Sequence, residues 1–267
     1  MNNNALKTPP TVLVLSGNDP SGGAGVTADI QAISANQAHP APSLTSLTVQ
    51  DTVNAYQVSA VEPDLVRQQA QAILDDLNVA AIKIGLLATA PIARTVATLL
   101  KENAAIPVVL DPVLVAAGGA RLATDELRQV LLQQLVQCAT VLTPNVDELL
   151  SLVPDAADTD ARARVLLDKG ALWVLAKGGD AATDDVRNVL YGPDGFRQAW
   201  TWPRLPGRFH GSGCTLASAL AALIANGCEI VDAVARAQQY TAQTLEQAWR
   251  PGQGQQVPRR IVDGVRQ

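Results

Sequence analysis

Short, continuous runs of apolar residues alternate along this chain with stretches in which apolar residues recur at helical spacing. The first pattern is typical of strands that are buried on both faces, and the second of amphipathic helices. The predicted strands cover residues 11–17, 43–50, 80–85, 106–112, 139–145 and 171–179. The predicted helices cover residues 26–37, 63–77, 90–102, 124–136, 145–152, 159–170, 214–226 and 230–247.

One segment interrupts this alternation. Residues 186–202 contain two strand-like runs around the turn "GPDG", which predicts a hairpin. Elsewhere helices follow strands, an order that favours parallel strands joined by right-handed crossover helices. We therefore predict a single-domain, doubly wound α/β fold with a mostly parallel sheet and helices on both faces. The domain is expected to span residues 11–250, with terminal extensions at 1–10 and 251–267, and the segment "GQGQQVPRR" at 252–260 is expected to lie at the surface.

Composition narrows the class of protein. Apolar residues make up 48% of the 267 residues and aromatic residues only 3%, so the core must consist of Ala, Val, Leu and Ile. The net charge of −5, without a basic cluster, argues against a nucleic-acid partner. No apolar run approaches the ~20 residues of a membrane span, and the N-terminus does not resemble a signal peptide. The three cysteines lack CxxC spacing, so we expect reduced thiols in a cytoplasmic protein.

Glycines and polar residues follow most of the predicted strands, in "SGNDPSGGAG", "VQDT", "KIGLL", "LDPV", "TPNVDE" and "AKGGD". Each of these segments, taken alone, is compatible with an ordinary turn. Parallel strands, however, bring their carboxyl ends to one edge of the sheet, where open α/β proteins bind ligands. The sequence therefore predicts one cleft that is lined by these segments.

The segment "HGSGC" places Gly211, Ser212 and Gly213 directly before an apolar helix. Glycines leave backbone N–H groups free to face a ligand, and the helix adds the positive end of its dipole, so an anion site is predicted. The segment is neither a GxxxxGK[ST] loop nor a GxGxxG fingerprint. In the first helical turn, the dipole would lower the pKa of the Cys214 thiol towards the thiolate. A small buried cysteine that fills space is the open alternative.

In this order and at these separations, the segments resemble the hydroxymethylpyrimidine/phosphomethylpyrimidine kinases, which are thiamine-pathway enzymes of the ribokinase-like superfamily. The resemblance covers roughly residues 11–250, and its most specific pieces are "DPSGGAG", with "AD" after it, and "HGSGC". Sugar kinases of the superfamily carry an aspartate at the position of Cys214, so the cysteine favours the pyrimidine or pyridoxine branch. The resemblance implies that ATP and Mg²⁺ are used to phosphorylate the hydroxymethyl group of an aminopyrimidine, and then its monophosphate.

The resemblance also implies roles for individual residues. Cys214 would accept the proton of the substrate hydroxyl, while the backbone of Gly211, Ser212 and Gly213 would hold the phosphoryl group. The implied pyrimidine-binding residues are Gly17, Asp29, Gln50, Leu86 and Val113. The implied nucleotide-binding residues are Lys177, Gly178, Gly179 and Asn145, and the implied magnesium-site residues are Asp111 and Glu148, with Asn145 beside them.

Structural interpretations of these residues remain open on the sequence alone. The alternatives are strand ends for Gly17, Gln50 and Lys177, and core positions for Leu86 and Val113. Asp29 could instead be a solvated helix residue, and Glu148 an acid in the first turn of the helix 145–152 that stabilises its dipole. His210 is expected either to contact phosphate or to pack.

The chain departs from the pattern of many relatives at Leu86, Ala117 and Phe209, where methionine, lysine and threonine are common. These departures bear on the second phosphorylation and on the choice of pyrimidine. The rival functions are a pyridoxal or pyridoxine kinase and a non-catalytic module that binds nucleotide or pyrimidine. We expect a homodimer, and the candidate lid segments are residues 118–119, residues 178–179 and the loop before Phe209.

Overall fold

The computed structural model describes residues 8–114, 124–179 and 183–261. Its nine strands form one sheet in the order β3-β2-β1-β4-β5-β6-β7-β8-β9. The strands are β1 Thr11–Asn18, β2 His39–Gln50, β3 Ala55–Ala60, β4 Val79–Ile84, β5 Val108–Leu110, β6 Val141–Leu142, β7 Trp173–Ala176, β8 Asp185–Tyr191 and β9 Arg197–Pro203. The helices are α1 Gly25–Ala35, α2 Pro63–Asp76, α3 Ala90–Glu102, α4 Asp125–Val130, α5 Val146–Leu152, α6 Thr159–Asp168, α7 Ser212–Ala225 and α8 Ile230–Glu246.

Helices cover both faces of the sheet. Helices α1, α7 and α8 pack on one face, and α2 to α6 pack on the other. Consecutive residues of β1 serve opposite faces: Val12 and Val14 pack against the first group, whereas Leu13 and Leu15 pack against the second. A strand with two buried faces needs apolar side chains at every position, which explains the continuous apolar runs. The predicted doubly wound α/β fold is confirmed.

The central strands from β2 to β7 pair in parallel, and antiparallel strands flank them at both edges. The hairpin predicted at 186–202 is formed by β8 and β9. Strand β3 pairs antiparallel with the second half of β2 and was not predicted, because most of its residues are exposed and it lacks the continuous apolar run of a strand that is buried on both faces. No helix within the described ranges is both long and apolar enough to cross a bilayer.

Strand β2 begins at His39, earlier than predicted, and it includes Pro40 and Pro42. Proline cannot donate a backbone hydrogen bond, so it is found on strands with an unpaired side. This part of β2 pairs only with β1, because the pairing with β3 starts at Ser46. Ala117 and the candidate lid at 118–119 lie outside the described residues.

Candidate active site

The bend formed by residues 211–214 lies at the start of α7, which begins at Ser212, two residues earlier than predicted. Gly211 has a φ of 78°, and a Cβ there would lie 2.0 Å from the Gly23 carbonyl oxygen, so only glycine fits. Within the described chain, the backbone N–H groups of residues 212–214 have no hydrogen-bond acceptor. Such N–H groups at a helix start are available to an anion, as the sequence predicts.

Lys177 lies beside this bend. A Cβ built on Gly213 would lie 3.2 Å from Lys177 Nζ and 3.7 Å from Asp111 Oδ2. Lys177 Nζ donates to Asp111 Oδ1 at 2.7 Å, and the Thr143 hydroxyl donates to the same oxygen at 3.1 Å. Burial disfavours the charged form of the Lys177 amine and by itself would lower its pKa. The negative charges of Asp111 and, to a smaller extent, Glu148 have a larger total effect, so the pKa of Lys177 is raised. The lysine therefore stays cationic next to the unpaired N–H groups.

Asn145 and Glu148 cap helix α5. The Asn145 backbone N–H donates to Glu148 Oε2 at 2.8 Å, and the Glu148 backbone N–H donates to Asn145 Oδ1 at 2.7 Å. The Lys177 backbone N–H donates to the carbonyl of Pro144, which joins the cap to the end of β7. Both residues thus have a structural task, and their suggested contacts with nucleotide and magnesium stay predictions.

The described residues contain no group of three or more His, Cys, Asp and Glu that could hold a metal ion. Mg²⁺ needs fewer protein ligands than that, because it keeps several waters and binds substrate phosphates. Asp111 contacts Lys177 directly, and both Asp111 and Glu148 are close enough to Lys177 to raise the pKa of its amine. Two carboxylates near a phosphate position suit Mg²⁺, so the residues present fit this ion.

Gly178 and Gly179 follow strand β7 and differ in their surroundings. A Cβ on Gly178 would lie 2.2 Å from the carbonyl oxygen of Arg187, and the Gly178 N–H donates to Asn188 Oδ1 at 2.9 Å. Gly179 has open space on its Cβ side, and its carbonyl accepts from Arg204 Nη1 at 2.7 Å. Packing alone accounts for Gly178, whereas Gly179 leaves room for a ligand. Their roles in nucleotide binding and as a lid stay predictions.

A fully buried polar group lies between α1, β4 and α7. Lys83 Nζ and the Ser218 hydroxyl each donate to Asp29 Oδ1 at 2.7 Å, and Asp29 and Lys83 are 0% exposed. Asp29 is therefore not a solvated helix residue. Its other oxygen, Oδ2, is buried with no partner among the described residues, as expected of an acceptor that awaits a ligand. Sequence reasoning missed Lys83, although a lysine in the apolar run "AAIKIG" is a usable signal.

The surroundings of Cys214 act against the expected activation of its thiol. Burial raises the pKa of the Cys214 thiol, the Lys83 ammonium lowers it in part, and the carboxylates of Asp29 and Asp111 raise it further. The prediction that the start of the helix lowers this pKa is therefore wrong for the ligand-free protein. The resting sulfur is a protonated thiol.

Gln50 is linked to the 211–214 bend through His210. The Nε2 atom of His210 lies 2.9 Å from Gln50 Nε2 and 2.7 Å from Asp19 Oδ2. Burial disfavours the charged Asp19 carboxylate, but hydrogen bonds with His210 and Ser21 outweigh it and lower the pKa of Asp19. His210 packs so closely on Gly23 that a Cβ there would lie 2.1 Å from its ring. The packing interpretation of His210 thus holds, and a contact with phosphate stays a prediction.

Gly17 and Leu86 are neighbours at the carboxyl ends of β1 and β4. A Cβ on Gly17 would lie 2.5 Å from Ser46 Oγ and 3.2 Å from Leu86 Cδ2. Leu86 and Val113 are half-buried, as side chains at a pocket wall would be. The Ser46 hydroxyl is buried without a partner in the described structure, and sequence reasoning missed it.

The C-terminal segment closes one side of the site. An open pocket of about 420 Å³ lies beside Gln50, between residues 51–53 and residues 251–253. The backbone N–H of His210 donates to the Gln256 carbonyl at 2.8 Å, and Arg260 is only 1% exposed. The interpretation of the segment from 252 to 260 as a surface segment is therefore wrong. The predicted domain boundary at residue 250 stays a prediction.

Comparison with known proteins gives consistent relatives. The family model described as phosphomethylpyrimidine kinase matches residues 19–259. A hydroxymethylpyrimidine/phosphomethylpyrimidine kinase of Synechococcus elongatus is 39% identical over 92% of this chain and 95% of its own length. The thiamine biosynthesis bifunctional protein ThiED of Geobacter sulfurreducens is 34% identical over 91% of this chain and 51% of its own. The crystal structure of an ADP complex of Bacillus subtilis pyridoxal kinase superposes with a TM-score of 0.85 at 28% identity, covering 94% of this chain and 97% of that one.

Proposed function

The chain belongs to the phosphomethylpyrimidine kinase family, and we propose that it carries out its phosphoryl transfer at the 211–214 bend. It is a thiamine-pathway kinase that uses ATP. Its substrates are 4-amino-5-hydroxymethyl-2-methylpyrimidine and the monophosphate of that compound. The observation that carries the placement is the set of unpaired N–H groups at residues 212–214, which lie beside the cationic Lys177.

The bend and Lys177 stabilise charge on the transferred group. Phosphoryl transfer depends mainly on in-line positioning and on neutralising the equatorial oxygens. The N–H groups of residues 212–214 donate to those oxygens, and the dipole of the fourteen-residue helix α7 adds to their effect. The Lys177 ammonium attracts the phosphate from the other side of Gly213.

The hydroxyl group of the pyrimidine attacks in line with the leaving ADP. Its oxygen forms a bond to the γ-phosphorus, the bond from that phosphorus to the bridging oxygen breaks, and ADP leaves with the electron pair. The hydroxyl proton passes to Cys214 Sγ, which must be a thiolate at that moment. The positive charge of Lys83 favours this thiolate, since it lowers the pKa of Cys214 in part.

The pyrimidine lies against Gly17, with Leu86 and Val113 at its sides. Its exocyclic amine donates to Asp29 Oδ2, the buried acceptor without a partner in the described structure. Gln50 hydrogen-bonds a ring nitrogen. Magnesium, held through Asp111 and Glu148, would neutralise charge on the phosphates of ATP.

The experiment is an ADP-release assay with the pyrimidine, and separately with pyridoxal, each with ATP and Mg²⁺. Similarity to the Bacillus subtilis pyridoxal kinase favours pyridoxal as the alternative substrate. Turnover of the pyrimidine with the higher kcat/KM supports the proposal, and preference for pyridoxal replaces the substrate but keeps the site. Calorimetric binding of ATP and pyrimidine without any ADP would instead identify a non-catalytic module.

We also propose a homodimer formed through β2 and β3. The residues Leu47 and Val49 of β2, Tyr56 of β3 and Val53 in the turn between these strands are 50–63% exposed. An exposed apolar patch of this kind associates readily with a second copy. Sedimentation equilibrium of the wild type and of Val49→Lys tests the proposal, and a wild-type monomer would overturn it. The need for a reduced Cys214 favours the cytoplasm as the compartment.

A further inference from the structure

Arg260 lies at the end of the described chain, and its guanidinium is buried beneath the 211–214 bend. Nε donates to the Thr215 hydroxyl at 2.8 Å, and Nη1 lies 3.3 Å from both the Gly22 carbonyl and Gln31 Oε1. Nη2 donates to the Gly23 carbonyl. A Cβ on Gly211 would lie 2.8 Å from Nη2, so the guanidinium touches the bend itself.

This side chain holds three parts of the site together. The Gly22 and Gly23 carbonyls belong to the turn after β1, Gln31 belongs to α1, and Thr215 belongs to the first turn of α7. The planar fork of an arginine is suited to such a task, because one side chain can donate to several acceptors in fixed directions. The Tyr240 hydroxyl donates to the Arg260 carbonyl at 2.7 Å and fixes the backbone from which the fork extends.

The charge of Arg260 has no close counterion in the described structure. Each acceptor of the guanidinium is a neutral oxygen, and no carboxylate within the described ranges lies within 4 Å of it. Burial lowers the pKa of Arg260, but an arginine remains protonated at neutral pH. The more distant carboxylates of Asp29 and Asp19 favour the charged form of Arg260, but burial outweighs them. A buried cation without a contacting counterion is costly, and an anion bound at the adjacent bend would offset that cost.

We infer that Arg260 is a positioning residue for phosphoryl transfer: it holds the 211–214 bend in place, and its positive charge is compensated by the phosphoryl group bound there. This inference rests on the proposed function and extends it to the C-terminal segment. Four of the five N–H groups of the guanidinium are engaged by Thr215, Gly22, Gly23 and Gln31, so the side chain is committed to this scaffold and not to the substrate. It acts through the N–H groups that it aligns.

The experiment compares Arg260→Met with Arg259→Met. Both changes remove one positive charge from the same segment, but the guanidinium carbon of Arg259 lies 6.0 Å from the centre of the Trp249 ring. We expect Arg260→Met to lower kcat about 10- to 100-fold, because small misplacements in a transfer site have effects of this size. The KM for ATP should change little. Arg259→Met should retain the wild-type kcat.

Two further measurements separate positioning from simple stabilisation. Aluminium fluoride bound with ADP mimics the phosphoryl group in the transition state. The affinity for this complex should fall in Arg260→Met by a factor similar to the decrease in kcat. Affinity for a non-hydrolysable ATP analogue should stay close to wild type. Arg260→Lys keeps the charge but cannot reach all the acceptors, so its kcat should lie between those of the wild type and Arg260→Met.

The outcomes are distinguishable. If folded Arg260→Met has the wild-type kcat and the wild-type affinity for ADP with aluminium fluoride, the inference on Arg260 is overturned while the kinase assignment stands. If the wild type itself transfers no phosphate to pyrimidine or pyridoxal, the proposed function fails. Arg260 is then judged by the aluminium fluoride affinities alone, and equal values for wild type and variant overturn the inference.

Discussion

Lys83 and Asp29 form an ion pair in which Nζ and Oδ1 are 2.7 Å apart and neither side chain has any exposed surface. Burial disfavours the charged amine, but the attraction of Asp29 outweighs it and raises the pKa of Lys83. The pair thus places a fixed cation and a fixed carboxylate beneath Cys214, between the sheet and α7. Its two charges depend on one another, because either one alone would be buried without compensation.

Lys83→Met should destabilise the protein strongly. The substitution leaves the Asp29 carboxylate buried without its cation, which lowers the free energy of unfolding by about 3–5 kcal/mol. Urea denaturation measures the change, and Lys83→Met combined with Asp29→Asn should lose less than Lys83→Met alone. The exposed pair Arg67–Glu102 supplies the control, since Arg67→Met should cost at most about 1 kcal/mol. Equal decreases in the free energy of unfolding in Lys83→Met and Arg67→Met would show that the buried ion pair matters no more for stability than the exposed one.

The kcat/KM for the pyrimidine should rise with pH through the alkaline range. Burial raises the pKa of the Cys214 thiol above its ordinary value, so the thiolate that accepts the proton becomes more abundant as pH increases. Direct detection of ADP from about pH 6 to about pH 10 measures the profile. This range extends above the ordinary thiol pKa of about 8.5. In Cys214→Asp the base is a carboxylate, so the rise should move to lower pH. If kcat/KM of Cys214→Asp rises over the same pH range as in the wild type, the pH dependence belongs to another group.

Gln50→Ala should mainly weaken binding of the pyrimidine. Loss of one hydrogen-bonding partner to the bound pyrimidine costs about 1–3 kcal/mol, so the KM for the pyrimidine should increase roughly 5- to 150-fold. The KM for ATP should stay near wild type. Gln57→Ala removes the same type of side chain from the exposed strand β3 and should leave both constants unchanged. Initial rates at varied pyrimidine concentration test this, and an unaltered KM in Gln50→Ala would remove Gln50 from the pocket.

Gly211→Ala should abolish most of the turnover. Its Cβ would lie 2.0 Å from the Gly23 carbonyl oxygen, so the 211–214 bend must shift and its N–H groups lose their alignment. Gly227→Ala is the matched control, because Gly227 also has a positive φ, of 83°, but has open space around its Cβ position. It should cost about 1 kcal/mol of stability and retain activity. Comparable loss of kcat in both variants would mean that strain alone explains the effect.

The central strands and the residues at their carboxyl ends could be predicted because they follow from local patterns. Continuous apolar runs identify strands with two buried faces, and Gly, Asp and Asn after them identify the edge that holds the site. The edge strand β3 could not be predicted in this way. Its residues are mostly exposed and owe their conformation to pairing with Ser46 and the residues after it, not to burial of their own side chains.

The remaining gaps concern contacts between distant parts of the chain. The acidity of the Cys214 thiol depends on Lys83, Asp29 and Asp111, which three different elements supply, so the helix start alone gave the wrong sign. Arg260 has no neighbouring motif that marks it as buried. Its acceptors at Gly22 and Gly23 are more than 230 positions earlier in the sequence. Only the folded chain brings such residues together.

The contact between Gly22 and Arg260 also bears on how this protein is made. Ribosomes release a chain from its N-terminus, and the first strand, third in the order of nine, pairs with β2 and β4, which follow it closely along the chain. The sheet can begin to assemble early, but the guanidinium that fastens the turn after β1 is translated 238 positions after Gly22. A chain cut before residue 260 would carry nearly the whole architecture and an unfastened catalytic loop. Truncation at that point should therefore yield folded but inactive protein.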